Sequence, residues 1–176
     1  YCQEERQISQ GNLKDLKYPP VIKKQEGELQ WFCQPVNDEF SYGVIVGRRK
    51  KDSVTRIVWK IVSSEDGDCW TEQGKQQVLG ALSAGDELFD SHKKWWKDYF
   101  EESGICIPDK FMEKQWYMTN YLFASTSREG GVPMPLQGVW TADEGTLPPW
   151  KGDYHNDLNT ELSYTHYLKA NHLEEG

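Results

Sequence analysis

The chain has 176 residues, of which 37% are hydrophobic and 13% aromatic, and 28 acidic against 20 basic side chains give a formal net charge of −8. This length suits one domain or pieces of two. The acidity argues against a nucleic-acid partner, because no basic face offsets it. Since no run of about 18 apolar residues is present, we expect no membrane partner either.

The ends and the cysteines of the chain carry two further expectations. The chain begins at Tyr1 rather than Met and ends at Gly176 just after a helical pattern, so we expect a fragment of a larger protein. The four cysteines are widely spaced: Cys2, Cys33, Cys69 and Cys106. Their disulfide state stays open, but without a CxxC or Cys/His cluster we expect no metal. The GVIVG run lacks the helix and third glycine of a dinucleotide site, so we expect no cofactor.

The first half of the chain has the pattern of a β domain. Residues 1–28 are polar and irregular. Strand patterns then follow over 29–36, 40–46, 54–62 and, more weakly, 76–82. The third alternates clearly between its two faces, as in a half-buried antiparallel strand. The basic run 48–51 is interpreted as a solvated hairpin turn. Residues 1–85 are therefore predicted to be the C-terminal part of a β-sandwich.

The pattern changes to helical near Asp86. Residues 92–101 form one predicted helix, and Asp109 caps a longer one that ends by Ser127. A last helix is predicted from about 158 to 174. Four rings in the first two of these helices are assigned to core packing: Trp95, Trp96, Trp116 and Tyr117. The loop between the long helix and the last one exceeds the usual length of a structureless connection, which favours a functional role.

The segment 136–159 combines aromatic rings with carboxylates and amides. Rings can cover the apolar faces of a sugar, while acids and amides can hold its hydroxyls or a reacting water. Asp157 and Asn159, two residues apart at the start of the last helix, are the candidate catalytic pair, with the carboxylate as general base and the amide orienting the water. The alternative stays open that these side chains only cap the helix. Glu161, one turn further on, could reach this site, but a surface role is favoured for it.

Six residues of the same segment are candidate substrate contacts: Gln137, Trp140, Trp150, Asp153, Tyr154 and His155. The tryptophans would stack on sugar, and the polar side chains would bind hydroxyls. The structural alternatives are that Trp150 plugs the lip of a barrel, that His155 is satisfied by backbone, and that Gln137 braces the loop.

Four motifs carry a family resemblance. They are YLFASTSR at 121–128, PMPLQGVW at 133–140, PPW at 148–150, and the Asn-rich strip that opens the last helix. In this order they resemble the start of the catalytic (α/α)6 barrel of family 95 glycoside hydrolases, which include α-L-fucosidases and α-L-galactosidases. With the PPW motifs aligned, Asp157 and Asn159 fall on the two asparagines of the family's water-activating pair. The Asp at the first position is a departure that puts the sugar specificity in doubt.

The resemblance implies an α+β multidomain fragment: 1–85 as the end of a β-sandwich, 86–108 as a helical linker, and 109–176 as the first helices of a truncated (α/α)6 barrel. It implies an inverting exo-glycoside hydrolase acting on fucose- or galactose-like residues of glycans, in the periplasm or outside a bacterial cell. The family's general acid lies beyond this chain, so the isolated chain is expected to be inactive. The alternative is a non-catalytic carbohydrate-binding or structural fragment.

Overall fold

The computed structural model describes residues 16–136, 138, 150 and 152–175. They divide into two compact units, one up to His92 and one from Lys93 onward. The first unit holds the four strands, β1 (Ile22–Glu26), β2 (Leu29–Pro35), β3 (Ser41–Lys51) and β4 (Val54–Ser63), followed by helix α1 (Trp70–Ser83). The unit boundary falls within α2 (Glu87–Glu101), after which come α3 (Lys110–Thr126), α4 (Leu158–Tyr164) and α5 (His166–Ala170).

The four strands form one antiparallel sheet in the order β1-β2-β3-β4. The three longer strands confirm the predicted strand patterns. The first strand was missed, because its sequence IKKQE is exposed along its whole length and has no apolar alternation. It forms as an edge strand that pairs with β2, from Ile22 opposite Cys33 to Glu26 opposite Leu29. Gly27 enables this tight return with a φ of 55°, which favours glycine.

Two predictions for this unit are wrong. Residues 76–82 form part of helix α1 and not a strand. Val78 and Leu82, four residues apart, lie on one face of this helix and are both buried. The basic run 48–51 is also not a turn: β3 continues through Lys51. The chain reverses after it, where Asp52 has a φ of 53°.

The core of the first unit lies between the sheet and α1. Leu29, Ile45 and Val62 from the sheet and Val78 from the helix form its buried cluster. Gly74 brings α1 close to the sheet, because a Cβ there would stand 2.6 Å from Ile45 Cδ1.

The opposite face of the sheet is exposed and apolar along β4. Ile57, Trp59 and Ile61 are 59%, 65% and 61% exposed. The described residues thus show one sheet with a helix on one face, which confirms the α+β class. A second sheet of a sandwich, the linker boundaries and barrel closure stay predictions.

The helix predicted over 92–101 begins five residues earlier, at Glu87, and ends at Glu101 as expected. Asp109 caps α3, since its carboxylate accepts from the amides of Phe111 and Met112. The helix ends at Thr126, as expected. The single helix predicted for 158–174 is wrong: it breaks at Thr165 into α4 and α5, and Asn171 in the left-handed region (φ 61°) ends the second.

Buried residues of this unit come from all its parts, and include Tyr99, Asn120, Phe123, Ala170 and His172. Of the four rings assigned to the core, Trp95, Trp96 and Trp116 are half-buried, whereas Tyr117 is 36% exposed. Core packing is therefore only partly correct for this group. Across the described part of the chain, no helix has the length and apolar character needed to cross a membrane.

Candidate functional site

Two loop segments of the second unit are tied to each other and to α4 by hydrogen bonds. The amide of Leu136 donates to the carbonyl of Asp153 at 3.0 Å, and Tyr154 Oη donates to the carbonyl of Pro133 at 2.7 Å. From the helix side, Tyr164 Oη accepts from the amide of Met134 at 2.7 Å and lies 2.6 Å from Ser127 Oγ. These bonds hold the segment after α3 next to the segment before α4. We call these two segments the walls of the site.

A cavity of about 870 Å³ lies against these walls. Its volume is within the range of about 300–1,000 Å³ that is typical of small-molecule sites. The lining residues are Ser127, Arg128, Gly131, Val132, Pro133, Tyr154, Asn156, Thr160, Glu161, Tyr164, Thr165, Tyr167, Leu168 and Glu175. Three phenol rings, an amide, hydroxyls, two carboxylates and a guanidinium therefore face one space.

Of the predicted substrate contacts, Tyr154 lines the cavity. Trp150, Asp153 and His155 form a small cluster beside it in sequence, but they are not among the lining residues. In that cluster the Trp150 and His155 rings meet edge to face at 5.3 Å, and His155 Nε2 lies 3.2 Å from Asp153 Oδ2. Gln137 and Trp140 lie outside the described residues.

Asp157 and Asn159 are both exposed and do not line the cavity. Asp157 is the N-cap of α4, and its Oδ1 accepts from the amide of Asn159 at 3.3 Å. The capping contact that was left open in the sequence is therefore present. The next residue towards the N-terminus, Asn156, does line the cavity.

Sequence reasoning did not assign most of the polar lining residues to the site, among them Arg128, Thr160, Glu161 and Tyr164. Tyr164 lies four residues after Thr160 and three after Glu161, so the three side chains are on one side of α4. Their spacing groups them, but it does not show what that side of the helix faces. The Arg128 guanidinium lies 3.8 Å above the ring of Trp95, and its Nε donates to the carbonyl of Ala124 at 3.1 Å. It is thus held in place at the cavity wall.

Titratable groups in the interior of this unit are held neutral. Burial lowers the pKa of His166 and of His172, and burial also raises the pKa of Tyr99. These groups pack on rings: His166 meets Phe123 edge to face at 4.4 Å. They support the structure and do not face the cavity.

Other chemistry is limited within the described residues. They contain no group of three or more His, Cys, Asp or Glu side chains that could hold a metal ion. Cys33, Cys69 and Cys106 are free thiols, and burial raises the pKa of Cys33. Cys2 lies outside the described residues.

Comparisons with known proteins place this site in a family context. The sequence model of the family "Glycosyl hydrolase family 95 catalytic domain" matches residues 93–175. The chain is 48% identical over 44 residues to a "Probable alpha-fucosidase A" of Aspergillus niger, covering 25% of this chain and 5% of that protein. It is 41% identical over 51 residues to an "Alpha-L-fucosidase 2" of Arabidopsis thaliana, covering 29% of this chain and 6% of that protein.

A third relative, a "Probable alpha-fucosidase A" of Aspergillus oryzae, is 36% identical over 56 residues, which cover 31% of this chain and 8% of that protein. The chain thus spans less than a tenth of the length of these relatives. No solved structure matches it significantly. The segment 93–175 is similar to part of a family 95 glycoside hydrolase catalytic domain, and this confirms the resemblance that the sequence motifs indicated.

Proposed function

We propose that this chain is part of a glycoside hydrolase acting on fucose- or galactose-like residues of glycans, and that the cavity of its second unit binds the sugar. One observation carries the proposal: every cavity-lining residue, from Ser127 to Glu175, falls inside the segment that matches the family 95 catalytic domain. The relatives are named as fucosidases, which supports the sugar class.

The chemistry of the lining residues supports sugar binding. Tyr154, Tyr164 and Tyr167 offer ring surface to the apolar face of a pyranose. Asn156 can both donate to and accept from hydroxyls, and Glu161 can only accept. Most of the accessible surface of the cavity is apolar, and a mainly apolar surface with several polar groups is usual for a small-ligand pocket.

For the reaction itself, we propose an inverting mechanism in which Asp157 takes the proton of a water and Asn159 orients it. The capping bond uses one of about four acceptor positions of the carboxylate, so capacity for a water remains. Asp157 also adjoins Asn156, which lines the cavity. An inverting pair holds its carboxyls about 6.5–9.5 Å apart, and the general acid is proposed to come from outside this chain.

Substitution of Asp157 by Ser separates catalysis from capping. Ser caps helices about as well as Asp, so the free energy of unfolding should change by less than about 0.5 kcal/mol. Hydrolysis of nitrophenyl α-L-fucosides and galactosides, measured on a longer protein that contains this chain, should fall by about 10²–10⁴-fold. Unchanged turnover in the folded variant would remove Asp157 from the mechanism.

The Asp157→Asn variant then separates a base from a water holder. Asn keeps the cap and the shape but cannot accept a proton. If Asp157 is the base, this variant should be as inactive as Asp157→Ser. Activity that survives in Asp157→Asn but not in Asp157→Ser would assign the position to water holding alone.

A second candidate function is carbohydrate binding without turnover. The position of Asp157 and Asn159 outside the cavity lining favours it. Titration of the 176-residue chain with monosaccharides, followed by tryptophan fluorescence, tests the sugar-binding part that both candidates share. Sugar binding together with wild-type turnover in the Asp157→Ser variant would favour a hydrolase that uses another base. Sugar binding without turnover, even in a longer protein that contains this chain, would favour the second candidate.

A further inference from the structure

We propose that the second unit carries a further binding site, an acidic pocket that takes a guanidinium group. The pocket lies between the C-terminal half of α2 and the turn after α5, and it encloses about 170 Å³. Four carboxylates line it: Asp98, Glu102, Glu174 and Glu175. Because Glu175 also lines the larger cavity, the acidic pocket and that cavity are neighbours.

The size of the acidic pocket limits what it can hold. A volume of about 170 Å³ corresponds to about six water molecules at about 30 Å³ each. A guanidinium group with a short alkyl stem fits this space, whereas a pyranose with its hydroxyls does not. The acidic pocket is therefore a different kind of site from the larger cavity.

Most carboxylates of the acidic pocket have no cationic partner. Asp98 pairs with Lys94, one turn earlier on α2. Among the described residues, no basic side chain forms an ion pair with Glu102, Glu174 or Glu175. Glu102 and Glu174 are about seventy positions apart in the chain, so it is folding that brings these like charges to one pocket. Like charges in one site disfavour each other, and a bound cation relieves this repulsion.

A buried histidine is directed into the same pocket. His172 lines it and is only 3% exposed, and its imidazole makes no hydrogen bond to the described residues. Its ring nitrogens are not fully cut off from solvent, in contrast to Nε2 of His166. The small surface that His172 exposes therefore includes these nitrogens. A buried polar group normally has a hydrogen-bond partner, and here a ligand in the pocket can supply it.

A stack of side chains holds His172 in this position. The Arg128 guanidinium lies 3.8 Å above the ring of Trp95, Trp95 stacks on Tyr99 at 5.3 Å, and Tyr99 stacks on His172 at 3.8 Å. Because each ring packs on the next, the imidazole has little freedom to turn away from the pocket.

The ligand class follows from the polar groups of the pocket. Burial lowers the pKa of His172, and Glu175 and Glu102 lie near enough to oppose this shift in part. The imidazole is neutral, so one of its nitrogens accepts hydrogen bonds, as do the carboxylates. A guanidinium carries positive charge and five donors in one plane, which suits several acceptors around a small space. A metal ion is a poorer fit, because the described residues contain no group of three or more ligands that could hold one.

The test is a nuclear magnetic resonance titration of the isotope-labelled 176-residue chain. Its probes are methylguanidinium and methylurea, which have nearly the same shape and differ in charge. Opposite unit charges about 4 Å apart in water contribute about a fivefold gain in affinity. Methylguanidinium should therefore bind at least about fivefold more tightly than methylurea. The amides of residues 171–175 and the indole N–H of Trp95 should report this binding.

Three variants locate the site. Glu102→Gln removes one unpaired charge at constant size, so it should weaken methylguanidinium binding about fivefold. His172→Phe keeps a ring on Tyr99 and removes the acceptor nitrogen, so it should also weaken binding. The matched control is Glu129→Gln, which removes an exposed charge of the same unit outside the pocket. It should bind methylguanidinium as the wild type does.

A further probe distinguishes two sources of the guanidinium group. Arginine with both termini blocked should bind at least as tightly as methylguanidinium if the natural ligand is an arginine side chain of a polypeptide. Weaker binding of the blocked arginine would assign the site to a small free cation.

Several results would overturn the proposal. They are equal affinity for methylguanidinium and methylurea, no change in the signals of the pocket, and unchanged binding in both Glu102→Gln and His172→Phe. An equal loss in Glu129→Gln and Glu102→Gln would also overturn it, because net charge alone would then explain the effect. Tighter binding of Ca²⁺ than of methylguanidinium at the same signals would replace it with a metal site. None of these results bears on sugar binding in the larger cavity, so the two proposals fail independently.

Discussion

The imidazole of His172 lies flat on the ring of Tyr99, with centroids 3.8 Å apart and planes within 2°. His172 is only 3% exposed. Burial lowers the pKa of this histidine and of His166, and the nearby carboxylates of Glu102 and Glu175 only partly oppose the shift at His172. Both histidines are therefore neutral in the folded protein at neutral pH.

This packing predicts acid sensitivity of the second unit. A histidine whose pKa is lower in the folded state takes up its proton more readily when unfolded, so stability is complete above about pH 6.5 and falls as the pH drops below it. We expect the melting temperature to be lower at pH 5.5 than at pH 7.5. Thermal unfolding followed by circular dichroism at the two pH values measures this difference.

The variant that isolates the effect is His172→Phe, which keeps a ring on Tyr99 but cannot be protonated. Its melting temperature should depend less on pH than that of the wild type. His92→Gln, which removes an exposed histidine, serves as the control and should leave the pH dependence unchanged. An unaltered pH profile in His172→Phe would contradict the assignment to this residue.

Removal of the Tyr164 hydroxyl should destabilise the walls of the cavity. Tyr164→Phe leaves the amide of Met134 without its acceptor and Ser127 without its partner. An unsatisfied buried polar group costs about 1–3 kcal/mol, so the free energy of unfolding in urea should fall by that amount. Tyr167→Phe is matched, because Tyr167 also lines the cavity but its hydroxyl makes no hydrogen bond to the described residues. Equal effects of the two variants would contradict the role of the Tyr164 bonds.

Two glycines of α1 should respond in opposite directions to alanine. A Cβ at Gly74 would stand 2.6 Å from Ile45 Cδ1 and 2.7 Å from Val62 Cγ1, whereas a Cβ at Gly80 meets nothing within 4 Å. We expect Gly74→Ala to destabilise by about 1–3 kcal/mol through overpacking. Gly80→Ala should stabilise by about 0.4–1 kcal/mol, because it restricts the unfolded chain and favours the helix. Urea unfolding of each variant measures the sign, and a stabilising Gly74→Ala would refute the close packing of α1 on the sheet.

The exposed apolar face of β4 should promote self-association of the 176-residue chain. Contiguous apolar surface of this kind is an aggregation liability when nothing covers it. We expect Ile61→Thr to lower the weight-average mass measured by light scattering at a fixed concentration. Ile22→Thr changes the same residue type on the opposite face of the sheet, as the pairing register shows, and should have the smaller effect. A monodisperse monomer in the wild type would show that this face does not drive association.

Elements with a local signal could be predicted from the order of residues alone. The alternation of apolar residues predicted β2, β3 and β4, and the carboxylate of Asp109 before an apolar helical pattern predicted the start of α3. The motifs from 121 to 159 sufficed for the family resemblance, because they depend on residue order alone. These features need no knowledge of which surfaces meet.

The remaining features depend on contacts that exist only in the folded protein. The run at 76–82 was ambiguous, because a short apolar segment can be a strand or a helix turn, and packing of Val78 and Gly74 on the sheet selects the helix. The strand β1 exists through its pairing with β2, which its own sequence does not encode. The cavity likewise arises because Tyr164 joins α4 to Ser127 and Met134, residues about thirty or more positions earlier in the chain. Contacts over such separations are made by folding, so local pattern could not show that Glu161 and Tyr164 line the cavity while Asp157 caps the helix.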